Sequence, residues 1–365
     1  NFMLNGGEWR KTTQSSREHV ASFHINGLYS PFISWYDMAV SYNEAINDPV
    51  KKQAHENLKM GRVFKPIGTK PKISKVSENR GNYHKGEVPD GVLYLTAGID
   101  LQEGSKLNPD NPPRLEMQVI GIGMNNQTKV IDYQIFEGSV EYPDYGAWEM
   151  LRNYATKNNL TYYRKSDNFP FPVSMIFIDS GDGNLTQVVY DFCSGWQNTY
   201  AIKGRRDVQK KKSIKEKFID EEYQGNMTPY RYTKTDNDNF LYLINTNYYK
   251  NRIYTDLNIE RQEGEHRRGF IEFYNEIPDR YFEQLLAEDK MPDGSYNSHG
   301  RRNEALDTLV YARCAADVYL GQLVDDYRAI LRQQGYKEHE VKMKVNSMTI
   351  LDQMKKATER KLKNF

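Results

Sequence analysis

Cysteine is nearly absent: the 365 residues hold two, Cys193 and Cys314. Neither lies in a CxxC or Cys/His cluster, which argues against a zinc site. Both fall in apolar, helix-like runs, as core thiols of a reducing compartment do. No stretch approaches the roughly 20 apolar residues that span a bilayer, and the polar start NFMLNGGEWRKTTQSS is no secretory signal. There is no G-x-x-x-x-G-K-[ST] phosphate loop, so no P-loop ATP hydrolysis is expected of this chain. The net charge is only +1, so any contact with nucleic acid must come from a local basic patch. No internal repeat is present. The chain opens at Asn1 without a Met and is read as a fragment of something longer, or a processed product.

What is present is the composition of a globular chain, 38% hydrophobic and 27% charged. Residues 1–68 are mixed, with an aromatic, Gly/Pro-broken stretch leading into an amphipathic helix from about Ser34. Residues 69–91 are polar and read as a linker. The pattern then changes. VLYLTAGIDLQ (92–102), RLEMQVIGIGM (114–124) and KVIDYQIFEGS (129–139) read as three consecutive antiparallel strands, the last two joined by the turn NNQT. YPDYGAWEMLRNYATKN (142–158) is helical. SMIFIDSGDG (174–183) is an apolar strand, buried on both faces. NLTQVVYDFCSGW is a helix and TYAIKG a short strand. LYLINTNYYKNRIYTDLNI (241–259) reads as strand then helix, GFIEFYN as a strand and DRYFEQLLAEDK as a helix. A last helix from about Asn303 closes the domain near residue 324, and 325–365 form a charged helical tail. This α/β order, a mixed five-stranded sheet flanked by helices, is that of the ribonuclease H-like fold.

The chemistry lies in the carboxylates. Asp100 and Asp179 each end an apolar strand, where α/β sheets gather ligands. Burying an ionised carboxylate there is costly unless a cation or hydrogen bonds compensate. Glu304 and Asp307 are three apart on the last helix and share a face. Acidic groups from distant positions, with no Cys/His set, call for a hard divalent cation, Mg²⁺ or Mn²⁺. Blander readings stand beside this one. DSGDG is also a strand-to-helix turn, and Glu304 and Asp307 also suit a helix N-terminus through its dipole.

Five stretches in order, INGLYSPFISWYDMA, LTAGIDLQ with RLEMQVIGIG, IFIDSGDGNLTQVVYDFC, YAIKGR and RRNEALDTLVYA, resemble the large terminase subunit of tailed phages, of the lambda type, over roughly residues 20–320. The resemblance implies a DNA-packaging motor with an N-terminal ATPase and a C-terminal nuclease. This chain would be the nuclease half, with residues 1–68 as the tail end of the ATPase domain. It implies a metal-dependent endonuclease cutting concatemeric double-stranded DNA with two ions held by Asp100, Asp179 and Asp307, and Glu304 as rival or fourth ligand. Arg301 and Arg302 would meet DNA phosphate, as would the basic loop with Lys203, Arg205, Arg206, Lys210, Lys211 and Lys212, Lys203 being the best single residue and Lys250 a weaker one. Expected partners are the ATPase domain, the small terminase subunit and the portal. The expected place is the host cytoplasm and, transiently, the procapsid portal, with no membrane. Another ribonuclease H-like enzyme of resolvase or transposase type, or a non-catalytic DNA- or portal-docking module, are the competing readings.

Overall fold

The computed structural model describes residues 23–45, 49–62, 70–105, 108–205, 229–234, 240–261, 268–291, 294–345 and 350–355. The chain divides into two compact units, residues 1–68 and 69–365. No helix among the described residues is long and apolar enough to cross a membrane.

In the first unit, α1 (Trp35–Ala45) starts where Ser34 Oγ accepts the Asp37 amide at 3.0 Å and donates to the Asp37 carboxylate at 2.6 Å, a capping arrangement that satisfies a free helix-end donor. Pro49 opens α2 (Pro49–Ala54), which runs on into a π-helical turn, His55–Lys59. Proline suits a first turn because its missing N–H has no partner there.

The second unit is built on a ten-stranded sheet. The strands are β1 (Glu87–Val88), β2 (Val92–Gln102), β3 (Arg114–Gly123), β4 (Thr128–Glu137), β5 (Thr161–Arg164), β6 (Pro170–Asp179), β7 (Thr199–Arg205), β8 (Tyr230–Lys234), β9 (Phe240–Asn245) and β10 (Ile271–Phe273). Its order is β10-β4-β3-β2-β6-β7-β9-β8, with β5 joining β6 and β1 joining β5. β2, β3 and β4 form the expected antiparallel meander. β6 lies parallel to β2, β7 to β6 and β9 to β7. The five strands expected from sequence are therefore the centre of a wider sheet. The additions are short segments such as β10, whose three residues pair parallel with Thr128–Val130 and carry no alternation long enough to assign a partner.

Residues 70–91 are not a free linker. α3 (Ile73–Ser77) and the segment after it bury Val76, Tyr83 and Val88, and the Tyr83 hydroxyl bonds the carbonyls of Val130 and Glu272, both at 3.0 Å. Three separated apolar residues anchored it where the polar average read as a tether.

Helices α4 (Ala147–Asn158) and α5 (Thr186–Ser194) meet through Trp148 and Phe192, with ring centroids 4.6 Å apart. α6 (Thr246–Asp256), capped by the Asn245 side chain on the Tyr248 amide, and α7 (Asp279–Leu285) follow. A small hairpin joins β11 (Asp289–Lys290) to β12 (Tyr296–Asn297). The long α8 (Glu304–Gln333) then packs on β2, β3 and β6. It crosses residue 324 without a break, so the expected start of a tail falls inside one helix. α9 (Glu338–Lys344) comes after it.

Side chains alternate across a strand, and that places the site. Tyr94 donates to the Ala316 carbonyl at 3.3 Å and Thr96 to the Ala312 carbonyl at 2.8 Å. A Cβ on Gly98 would overlap the Thr308 carbonyl oxygen and come within 2.6 Å of the Ala312 nitrogen. Every second residue of β2 thus steps along α8 towards its N-terminus. The next in the series is Asp100.

Candidate active site

Asp100 is buried, 3% exposed, on the face of β2 that meets α8. The register pairs Ile99 with Ile178, so Asp179, at the end of the parallel strand β6, lies beside Asp100 on the same face. Asp307 is in the first turn of α8. Burial, and then the charges of Asp307 and Asp179, hold the Asp100 carboxyl well above the usual carboxylate range. Asp179 is pushed up to about 6, mainly by burial, although amide hydrogen bonds from Gly181 and Ser180 oppose the rise. The Tyr311 hydroxyl, raised first by burial, feels Asp179, Asp307, Asp100 and Glu288 together. The structure therefore brings the three aspartates expected from sequence into one electrostatic neighbourhood. Asp179 also forms the turn that the blander reading foresaw, accepting the Gly181 amide at 3.1 Å.

Three side chains hold these acids in place. Gln102 donates to Asp100 Oδ2 at 2.7 Å. Lys250 Nζ lies 2.9 Å from Asp307 Oδ1 and 2.8 Å from Glu288 Oε1. Asn303 Nδ2 donates to Asp307 Oδ2 at 2.6 Å and to Glu288 Oε1 at 2.8 Å. The other Glu288 oxygen, Oε2, is buried without a hydrogen-bond partner.

Glu304 stands apart from this group. It pairs with Arg114 and, at 3.2 Å, with Arg302. Arg114 also holds Glu116 at 2.6 Å, Arg302 holds Glu116 at 2.5 Å, and the Tyr133 hydroxyl donates to Glu116. Arg114, Glu116 and Glu304 are all buried. Glu304 is thus a member of a closed ion-pair network, with its charge already matched. Arg302 belongs to that network while its side chain stays 47% exposed. Arg301 is half exposed and pairs with Asp289 at 2.6 Å, an acid that also holds Lys70 at 2.9 Å. Lys203 is partly buried on β7, close enough for its charge to act on Asp179, and Arg205 is exposed at the strand end. Arg206, Lys210, Lys211 and Lys212 lie outside the described residues.

Lys250, Glu288 and Asn303 were underrated or missed in the sequence. Lys250 had a legible signal: with Tyr254 and Leu257 it occupies apolar helical spacing, and all three are buried. Glu288 had only its place after the apolar run Leu285–Ala287.

Among the described residues, no three His, Cys, Asp or Glu side chains are disposed to hold a metal ion together. The chemistry of the donor set still fits one. Asp100, Asp179 and Asp307 offer hard oxygen ligands, repel one another and gain by a shared cation. Nearby, Glu288 shares Lys250 with Asp307 and keeps its second oxygen, Oε2, buried without a hydrogen-bond partner.

A family model, terminase large subunit gpA, endonuclease domain, matches residues 20–323. The match begins well inside the segment read from sequence as the end of an ATPase domain. The chain is similar to the terminase large subunit of Escherichia phage lambda, 30% identical over 326 residues, covering 85% of this chain and 45% of that protein. It is also similar to the terminase large subunit of Enterobacteria phage P21, 26% identical over 312 residues, covering 81% of this chain and 44% of that protein. The chain thus spans under half the length of these relatives. The family model covers residues 20–323, well over half of the chain, and leaves one conclusion: the chain belongs to the gpA-type family of phage terminase large subunits, and carries the endonuclease domain of that family.

Proposed function

We propose that this chain is the nuclease of a phage DNA-packaging terminase, cutting concatemeric double-stranded DNA by metal-dependent phosphodiester hydrolysis. One observation carries the reading: Asp100 and Asp179 lie side by side at the ends of β2 and β6, and Asp307 is in the first turn of the helix that packs on both strands. The strand order β4-β3-β2-β6-β7 supports a ribonuclease H-like centre. The family match from residue 20 onward favours a terminase over a resolvase or transposase, and the retained acid set argues against a module that only docks.

When bound, Mg²⁺ or Mn²⁺ would activate a water and neutralise charge on the scissile phosphate. The protein's part is to supply its ligands and shape the place. Asp100, on the face of β2 that meets α8, would be one of the ligands. Asp179 keeps one carboxylate oxygen on the Gly181 amide, which fixes its direction. Asp307 is oriented by Lys250 and Asn303. Arg301, Arg302, Lys203, Arg205, Arg206 and Lys210–Lys212 are the proposed phosphate contacts, and Glu304 serves structure. By family, the partners are an ATPase domain, the small terminase subunit and the portal, in the host cytoplasm, and this chain alone turns over no ATP.

The test is a supercoiled-plasmid assay. Nicking should appear with Mg²⁺ or Mn²⁺, vanish with excess EDTA and be lost in Asp100→Asn. Cutting that survives EDTA, or an active Asp100→Asn protein, would overturn the reading.

A further inference from the structure

Lys250 is 8% exposed, too enclosed for its ammonium to meet a DNA phosphate. Its Nζ is instead almost equidistant from two carboxylates, 2.9 Å from Asp307 and 2.8 Å from Glu288. Asn303 bridges the same pair from its amide nitrogen. One turn further along α6, the Tyr254 hydroxyl bonds the Glu288 carbonyl at 3.0 Å. The helix therefore grips this acid by its backbone and its side chain together. Both separations are those of charge-assisted hydrogen bonds from an ammonium to carboxylates. Two carboxylates sharing one cation, with one oxygen of the pair unmatched, is the local environment of a bound ion, filled here by a side chain.

We propose that Lys250 is a fixed cation of the acidic site, standing between Asp307 and Glu288 in the place of one divalent ion and acting as a positioning residue for Asp307. The proposal rests on the acids forming a metal site, and it makes that site a one-ion site. Glu288 is then the hidden fourth carboxylate, matched by lysine instead of metal. An ammonium and a divalent ion cannot share so short a gap, because like charges a few ångströms apart repel strongly where water is scarce. Removing the lysine should open the gap to metal.

The experiment counts Mn²⁺ on the full chain by electron paramagnetic resonance and calorimetry, with thermal unfolding in EDTA alongside. Lys250→Met should bind one more Mn²⁺ than the wild type, or bind it at least about tenfold more tightly, and should unfold at lower temperature in EDTA. Lys250→Arg keeps the charge and should keep the wild-type count. Lys250→Met/Glu288→Gln should lose the added ion and regain stability in EDTA, which guards against a single variant that fails to fold. A folded Lys250→Met protein that binds Mn²⁺ in the wild-type number and affinity, a folded double variant that keeps an added ion, or a wild type that already binds two ions at the site would overturn the proposal. If the wild type binds no Mn²⁺ and Lys250→Met does, Lys250 is upheld as the occupying cation and the metal reading of the native site falls. If neither binds, both fall.

Discussion

Glu304 and Asp307 share one turn of helix and have opposite relations to charge. Glu304 is enclosed by arginines; Asp307 faces other acids. Glu304→Gln would leave Arg114 buried with half its compensation gone, and breaking a buried ion pair from one side typically costs about 3–5 kcal/mol. Urea unfolding should show that loss in EDTA as well as in metal. Asp307→Asn should lower plasmid cutting by orders of magnitude, since a ligand charge is lost, while disturbing stability less, because Lys250 keeps Glu288. If Asp307→Asn cuts normally and Glu304→Gln unfolds nothing, the two roles have been exchanged. The sequence showed both acids and their common face. It could not show which one the arginines would take, because Arg114 reaches Glu304 from a strand 190 residues away.

The same residues set a pH response. Burial raises Asp179 from an ordinary 3.8 to about 6 in the folded chain, and Asp100 and Glu288 move in the same direction. A carboxyl raised on folding stabilises the fold fully below its unfolded value and loses that contribution as pH rises through its folded value. In EDTA, the protein should therefore gain stability on the order of 1–2 kcal/mol as pH falls from about 7 to 5. Asp179→Asn should flatten that gain, and saturating Mn²⁺ should reverse its sign, because the ion favours the ionised acids. A slope equal in wild type and Asp179→Asn would remove Asp179 as its source.

At the scale of elements, the decisive junction is β2 against α8. Gly98 lets the helix backbone touch the strand, and Ala305, Ala312, Ala315 and Ala316 line α8 with small buried side chains. Gly98→Ala would force the helix off the strand two residues from Asp100. Such overpacking costs about 3 kcal/mol, and here it should weaken Mn²⁺ binding more than a substitution of equal cost far from the site. Retained metal affinity at reduced stability would mean the junction only supports the fold. The meander, the buried strand at Asp179 and the last helix were legible in sequence because each is long and strongly patterned. β1, β5 and β8 were not, since strands of two to five residues lack a period, and β10 was legible as a strand but not in its pairing. The anchoring of residues 70–91 was hidden because its partners, Val130 and Glu272, lie on distant strands.

For the whole molecule, the near-zero net charge of +1 means that affinity for DNA must be local. Replacing Arg205, Arg206 and Lys210–Lys212 by Ala should weaken duplex binding and lower the slope of log K against log salt by roughly 0.9 per lost phosphate contact, with sequence preference unchanged. An unaltered slope would leave those residues as solvated surface. ATP turnover by the purified chain above that of an Asp100→Asn protein prepared the same way would show that its N-terminal region has been misread.

The strand-to-helix junction also has a consequence in time. Thr96 and Ala312 are 216 residues apart in the chain, and a ribosome adding about 5–20 residues per second takes roughly 10–40 s to travel between them. For 128 residues of that interval, from Asp179 to Asp307, the first two acids have been made and the third has not. On the proposed reading, a nascent chain carries the strands of the nuclease without its last acid, and cutting should be withheld until α8 has been made.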